Sequence, residues 1–419
     1  MLLILIEALL FCQDFNKDIK QENIPLAYLR FEGRTTSCPK YNSVIDIEYL
    51  DIENPVKDVS STNWSVISSF DDDLDRESIL KMIETNISYW RSKPSSFSIE
   101  IAKDSFSRDK MLESFEKLYT IFLSTMSYSE IFKKLTSDFK IYRAVSDGTK
   151  DVTITAYYEA EIEVSKQRDD KRRYAMHLRP PDLVKVTGQD FDYGRYDENG
   201  NLVKYYSTQQ IREGAIDKYN VEFVYSAHPS HIMLAQIQGS AIVRYPDGDY
   251  DRIGFDGANG WRFVSVQKIL TDCGEIPPMN FRDFINYLSS QPQDREERLV
   301  NLNPRYIFFK VKDKTEGAIG AISRPLIPHR SIAIDPAYIP YGVLAYIIST
   351  KPVADDNGQN IVEFKRFSRL VSSHDTGSAI RGAGRIDIFW GSGKKAELEA
   401  SSMKSKGEFY IFAPKPTSP

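Results

Sequence analysis

Residues 371–393 read VSSHDTGSAIRGAGRIDIFWGSG. Five glycines fall in this stretch, at positions 377, 382, 384, 391 and 393, which lets the backbone turn sharply and approach a ligand closely. Two carboxylates, Asp375 and Asp387, stand among them. Asp387 is flanked by Ile386, Ile388, Phe389 and Trp390. Desolvation in that apolar setting is expected to raise its pKa, and a second carboxylate nearby raises it further. A proton donor at neutral pH needs this tuning. The competing reading is that both aspartates cap turns, the commoner use of Asp beside Gly.

Outward from this stretch the texture is strand-like. Upstream, SRPLIPHRSIAIDPAYIPYG at 323–342 carries Asp335 between a strand and a Pro-rich turn. Strands are expected at Tyr306–Val311, Ser331–Ile334, Val343–Ile348, Ile361–Leu370, Arg385–Phe389 and Phe409–Ala413. Further back, VTITAYYEAEIEVS from Val152 is rich in β-branched and aromatic residues, and strand-like runs follow at Val221–Tyr225, Ile232–Ile237 and Ser240–Tyr245. Helical patterns lie at Phe263–Thr271, Phe281–Leu288 and Arg295–Leu302, with Gly274 suited to a helix stop.

Three amphipathic helices precede the strands. Ile79, Leu80, Met82, Ile83, Ile87 and Trp90 recur three and four residues apart, and Pro94 ends that helix. Met111, Leu112, Phe115, Leu118, Tyr119 and Phe122 define a second, and Ser127 to Phe139 a third. Residues 13–75 read as extended, polar chain with short apolar runs such as Val44–Tyr49. The order of helices, strands, short helices and strands gives an α+β fold, mainly β.

Composition sets bounds on function. The chain has 419 residues and a net charge of −5, long enough for two or three domains. No polybasic run stands out, which argues against nucleic acid, whose phosphates demand a dense positive face. Cys12, Cys38 and Cys273 make neither a disulfide framework nor a zinc cluster. The five histidines, at 177, 228, 231, 329 and 374, show no metal-ligand spacing. Met1 to Phe11 reads MLLILIEALLF, too short to span a bilayer. Followed by Cys12, it is a candidate signal and lipid-anchor segment, assigned to residues 1–21. Bulky Phe11, the acidic Glu7 and the lack of a preceding Lys or Arg depart from that pattern.

Seven blocks in one order resemble the membrane-bound lytic murein transglycosylase A (MltA) family and its C-terminal three-aspartate (3D) domain. AYYEAEIEVS at 156–165 is similar to the family's Gly-Tyr-Tyr-Glu-Pro strand, with Ala156 and Ala160 in place of Gly and Pro. MLAQIQGSAIVRYPDG at 233–248 resembles its Gln-Gly-Ser segment. GFDGANGWRFVSVQKILTDCGEIP at 254–277 resembles its Tyr-Ala-Gly-x-Asn-Gly segment, with Asp256 replacing Ala. LNPRYIFFK at 302–310, the two stretches at 323–342 and 375–393, and the closing GEFYIFAPK at 407–415 complete the series.

The resemblance implies a double-psi β-barrel domain built from residues 22–158 and 311–415. A second β-rich domain, 159–310, is inserted in it, with a glycan groove between. It implies a lytic exotransglycosylase that cleaves the β-1,4 bond between N-acetylmuramic acid and N-acetylglucosamine in peptidoglycan glycan strands. The product carries a 1,6-anhydro end, and no metal or other cofactor takes part. Glycosidases that use water or a protein nucleophile need two carboxylates. Here the sugar's own C6 hydroxyl attacks, so one aspartate can serve as acid and then base. By resemblance that residue is Asp387. Asp375 and Asp335 match the other two aspartates, Asp375 as a tuning and loop-ordering group and Asp335 as a brace.

Groove candidates are Tyr157, Tyr158, Gln238, Ser240, Asn259, Gly260, Gly377 and Ala379. Strand alternation sends one of Tyr157 and Tyr158 into the core. A wall substrate implies a periplasmic location, with the Cys12 anchor placing the chain at the outer membrane. Two rival classes are weighed. Asp375-Thr376-Gly377-Ser378 matches an aspartic protease signature, but the nearest second copy, Asp256-Gly257, lacks the hydroxyl residue. The departures at Ala156, Ala160 and Asp256 suit a non-catalytic wall-binding protein, against which Asp375 and Asp387 are retained.

Overall fold

The computed structural model describes residues 56–58, 70–145, 151–314, 316–377 and 379–415. The run Met1–Phe11, Cys12, Val44–Tyr49, Ser378 and the tail beyond Lys415 lie outside the described residues.

Three helices come first. α1 (Arg76–Arg91) starts where the Asp75 carboxylate accepts the Ser78 amide at 2.7 Å. It buries Ile79, Met82, Ile83, Tyr89 and Trp90 on one face. After a short hairpin of Ser98–Ile101 and Asp104–Ser107 comes α2 (Arg108–Leu123), capped by Ser107. α3 (Tyr128–Asp138) opens on a reciprocal capping box between Ser127 and Glu130. The segment before α1 is fastened to the strands by a buried bidentate pair, with Arg330 Nη1 and Nη2 at 2.6 and 2.7 Å from the Asp72 carboxylate.

β1 (Phe139–Ala144) leads into β2 (Val152–Ser165), a strand long enough to serve two units. Its first half, Val152–Glu159, pairs with C-terminal strands. Its second half, Ala160–Ser165, pairs with β3 (Glu222–Ser226) and β4 (Ser240–Arg244). β4 continues the sheet through β5 (Tyr250–Ala258) to β6 (Ile307–Lys312). The passage from one unit to the other therefore runs through an unbroken strand near Glu159.

The region 159–310 is more helical than its β-rich expectation. It holds α4 (Pro229–Gln238), α5 (Val266–Asp272), α6 (Phe281–Ser289) and α7 (Gln293–Asn301). The strand expected at Ile232–Ile237 is part of α4. Seven of the ten residues of α4 are buried, Ile232 to Gln236 without a break, so no helical stripe marks it in sequence. Its ends were the readable signals. Pro229 sits in the first turn, and Gly239 ends the helix at φ 79°. Ser230 N and Oγ both donate to Glu296 of α7, a cap that only the tertiary structure supplies.

The C-terminal strands are β7 (Ser331–Ala333), β8 (Leu344–Ala354), β9 (Ile361–Asp375), β10 (Arg385–Ser392) and β11 (Lys404–Pro414). α8 (Lys394–Ser402), unforeseen in the sequence, links the last two. Pairing runs β11-β8-β9-β7-β10-β2 and returns from β2 to β11, closing a six-stranded barrel among the described residues. The β9·β7 and β10·β2 pairs are parallel and the others antiparallel. The fold is α+β and mainly β, with α1 and α2 packed against the barrel.

Candidate active site

Asp375 ends β9 and Asp387 lies in β10, and both are register partners of Ala333 on β7, which runs between them. Two strand spacings separate their backbones by about 10 Å. Along β10, Arg385 and Asp387 are half-buried while Ile386 and Ile388 are fully buried. Alternation thus sends the isoleucines into the barrel and the carboxylate to the opposite face. The neighbours that desolvate Asp387 are therefore not Ile386 and Ile388, as the linear sequence suggests.

Thr155 of β2 is the register partner of Asp387, and its hydroxyl donates to Asp387 Oδ1 at 2.7 Å. Asp387 Oδ2 accepts no hydrogen bond among the described residues. Burial raises the Asp387 pKa, while the Thr155 hydrogen bond and the Arg385 charge lower it. Asp375 is held on both oxygens. Oδ2 accepts the Tyr157 hydroxyl at 2.7 Å, and Oδ1 accepts the Ala321 amide at 3.0 Å. Burial pushes its pKa up to about 6 against the hydrogen bonds of Tyr157, Thr376 and Ala321, with a small upward contribution from Asp387. The like-charge effect expected on Asp387 therefore falls on Asp375.

Tyr157 packs its ring against Phe389, with centroids 5.3 Å apart, beside Ala318 and Leu326. Its hydroxyl is committed to Asp375, so Tyr157 orients that carboxylate from the wall of the site. Trp390 faces away from it. Its indole donates to Glu399 at 2.8 Å, and its ring lies 4.7 Å from that of His329. Asp335, 5% exposed, accepts the Gly382 amide at 2.8 Å and the Ala337 amide at 3.1 Å. It ties the loop between Asp375 and β10 to the end of β7. Gly377 and Ala379 lie in that loop, Gly377 half-buried and Ala379 exposed.

The remaining groove candidates divide. Tyr158, 2% exposed, is the core member of its pair, with its hydroxyl 3.3 Å from Glu397 of α8. Asn259 is fully buried. Its amide group donates to the Tyr206 and Pro304 carbonyls at 2.9 and 2.7 Å, and its oxygen accepts the Tyr306 amide at 2.9 Å. Gly260 adopts φ 76°, and a Cβ there would lie 2.1 Å from the Tyr193 carbonyl oxygen. These three support the fold, because polar and glycine residues also serve buried turns. Gln238 and Ser240 stay half-buried at the junction of α4 and β4. The Gln238 side-chain oxygen accepts the Tyr158 amide at 3.0 Å, while its amide nitrogen takes no partner among the described residues. Sequence reasoning missed Thr155 and Arg385. The alternation Thr153, Thr155, Tyr157 on one face of β2 was the available signal.

A carboxyl held by a threonine on the face of a six-stranded barrel, with a domain inserted through a shared strand, defines a class of two-domain barrel proteins. Family models match in both units: "MltA specific insert domain" over residues 153–310 and "3D domain" over residues 330–413. The chain belongs to the MltA family. It is similar to a membrane-bound lytic murein transglycosylase from Agrobacterium tumefaciens, at 26% identity and TM-score 0.68, covering 86% of this chain and 97% of that one. MltA from Neisseria gonorrhoeae is similar at 23% identity and TM-score 0.60, covering 87% and 93%. MltA from Escherichia coli with bound chitohexaose shares the fold at 21% identity and TM-score 0.60, covering 80% and 90%. A search of curated proteins finds no match.

Proposed function

We propose that this protein is a lytic transglycosylase that cleaves the β-1,4 bond between N-acetylmuramic acid and N-acetylglucosamine, with Asp387 as acid and then base. The observation that carries the assignment is the asymmetry of the two carboxylates. Asp375 has both oxygens occupied, whereas Asp387 Oδ2 accepts no hydrogen bond among the described residues. Burial favours the protonated carboxyl, the form a general acid needs.

The reaction runs in two steps. Protonated Asp387 donates its proton to the glycosidic oxygen as the bond to C1 of the muramyl residue breaks. The resulting carboxylate then takes the proton of the C6 hydroxyl as O6 bonds to C1. The anhydro ring closes, no water is consumed, and Asp387 is protonated again. Thr155 holds the carboxyl in orientation throughout, and Asp375 with Tyr157 walls the site. Chitohexaose in the Escherichia coli relative supports a glycan strand as substrate. A wall polymer as substrate places the protein in the periplasm.

An aspartic protease would need two carboxylates sharing one proton. Asp375 and Asp387 stand on strands separated by β7, too far apart for that. The direct test is digestion of purified sacculi with mass spectrometry of the products. The native chain releases 1,6-anhydro-muropeptides, and Asp387→Asn releases none while still binding sacculi. Release of anhydro products by Asp387→Asn would overturn the assignment. Failure of the native chain to release them would leave the wall-binding alternative.

A further inference from the structure

The face that carries Asp387 also carries a row of cations. Register pairing lays out two rungs across β10, β2 and β11. Asp387, Thr155 and Lys404 form one, and Arg385, Thr153 and Lys406 form the next. Register partners present side chains on the same face. Two hydrogen bonds verify this: Thr155 Oγ1 to Asp387 at 2.7 Å and Lys406 Nζ to Thr153 Oγ1 at 2.9 Å. The intervening Ile154 and Ile386 are fully buried on the other side, and Ser405 between the lysines is half-buried. Lys404 and Lys406 are exposed, and Thr153, Thr155 and Arg385 half-buried.

The row is not neutralised. Arg385, Lys404 and Lys406 form no ion pair among the described residues, and Arg385 Nε is buried without a hydrogen-bond partner. Glu408, further along β11, is taken by Arg143 at 2.8 Å. In a chain of net charge −5 this leaves a local positive strip. It begins beside the reacting carboxyl, with Arg385 about 7 Å along the strand from Asp387 and the lysines about 10 Å across the sheet.

We propose that Arg385, Lys404 and Lys406 bind the carboxylates of the peptide stem carried by the muramyl residue next to the cleaved bond. The proposal rests on the transglycosylase reading for its substrate. The strip selects strands that still bear peptide stems over bare glycan. Arg385 supplies fixed donors close to the sugar. The two lysines act as solvated charges that follow a flexible peptide.

The test measures equilibrium binding with the full chain carrying Asp387→Asn, so that no strand is cut. The ligands are soluble glycan strands bearing stems, the same strands stripped by an amidase, and stem-bearing strands with their carboxylates amidated. Stem-bearing strands are expected to bind roughly ten-fold tighter than stripped ones at 50 mM salt, and the gap should shrink at 300 mM. Amidated strands should bind like stripped ones. Adding Lys404→Gln and Lys406→Gln should bring stem-bearing and stripped strands within about two-fold. Thermal denaturation checks that this variant folds. Equal affinity for stem-bearing and stripped strands before those changes would overturn the proposal, as would an equal loss for both after them. Product analysis with the native Asp387 is separate. Binding that follows the stems without anhydro products sinks the transglycosylase reading and leaves the strip standing.

Discussion

The Thr155 hydroxyl donates to Asp387 Oδ1 at 2.7 Å from the neighbouring parallel strand. This bond favours the ionised carboxylate, so it opposes the burial that raises the Asp387 pKa. Thr155→Val keeps the shape and removes the bond. The Asp387 pKa should rise further, and the alkaline limb of the kcat/KM profile should move to higher pH. The loss of orientation should lower kcat by roughly ten-fold. A pH–rate profile on soluble glycan strands checks both effects. An unmoved alkaline limb would show that Asp387 is not the titrating acid.

Asp375 carries a carboxyl whose pKa is pushed up to about 6 from 3.8, chiefly by burial. A raised carboxyl pKa costs stability as pH rises. The penalty is absent below about 3.8, grows between the two values and is complete above about 6. Asp375→Asn keeps one acceptor oxygen, for the Ala321 amide, and lets its NH2 donate to the Tyr157 oxygen, while removing the charge. It should be the more stable protein at pH 7, by about 3 kcal/mol as a ceiling, with no difference below pH 4. Thermal denaturation between pH 4 and 8 measures this. Stabilisation that is independent of pH would contradict it. Activity should fall in the same variant, since Asp375 shapes the site.

Asp335 spends its carboxylate on the Gly382 and Ala337 amides. Asp335→Ala leaves two backbone donors without their acceptor, at a cost of about 1–3 kcal/mol. Asp335→Asn, which retains one acceptor oxygen, should lose less. Urea denaturation midpoints rank the three proteins. If Asp335 is a brace, kcat for the Asn variant should recover at low temperature, where the loop remains in place. A catalytic Asp335 would give no recovery.

Gly239 and Gly260 both adopt positive φ, at 79° and 76°, but their surroundings differ. A Cβ at Gly239 meets nothing within 4 Å, whereas one at Gly260 falls 2.1 Å from the Tyr193 carbonyl oxygen. Gly239→Ala should cost about 1 kcal/mol, the left-handed penalty alone. Gly260→Ala should cost several kcal/mol more because backbone must move. Denaturation midpoints for the two variants decide it, and equal losses would contradict the close approach.

The amphipathic helices were legible because spacing at three and four residues is a local property of the chain, as with Ile79, Met82, Ile83 and Trp90. The strand runs from Tyr306 onward were legible for the same reason. The α4 segment was not, because the unbroken buried run Ile232 to Gln236 erases periodicity and its cap comes from Glu296 on another helix. Asp375 and Asp387 stood out in sequence as carboxylates in a glycine-rich, apolar stretch. Their hydrogen-bond partners did not. Register alone makes Thr155 the partner of Asp387 and sends Ile386 and Ile388 into the barrel. Tyr158 and Asn259 looked like groove residues until their hydrogen-bond partners placed them in the interior. By itself, then, the sequence determined most of the elements and their order, and it drew attention to Asp375 and Asp387, because those signals depend on residues near one another in the chain. Only the tertiary structure decided which carboxylate has an oxygen that accepts no hydrogen bond among the described residues and which cations share its face. Those depend on strand register and barrel closure, which join residues more than two hundred positions apart.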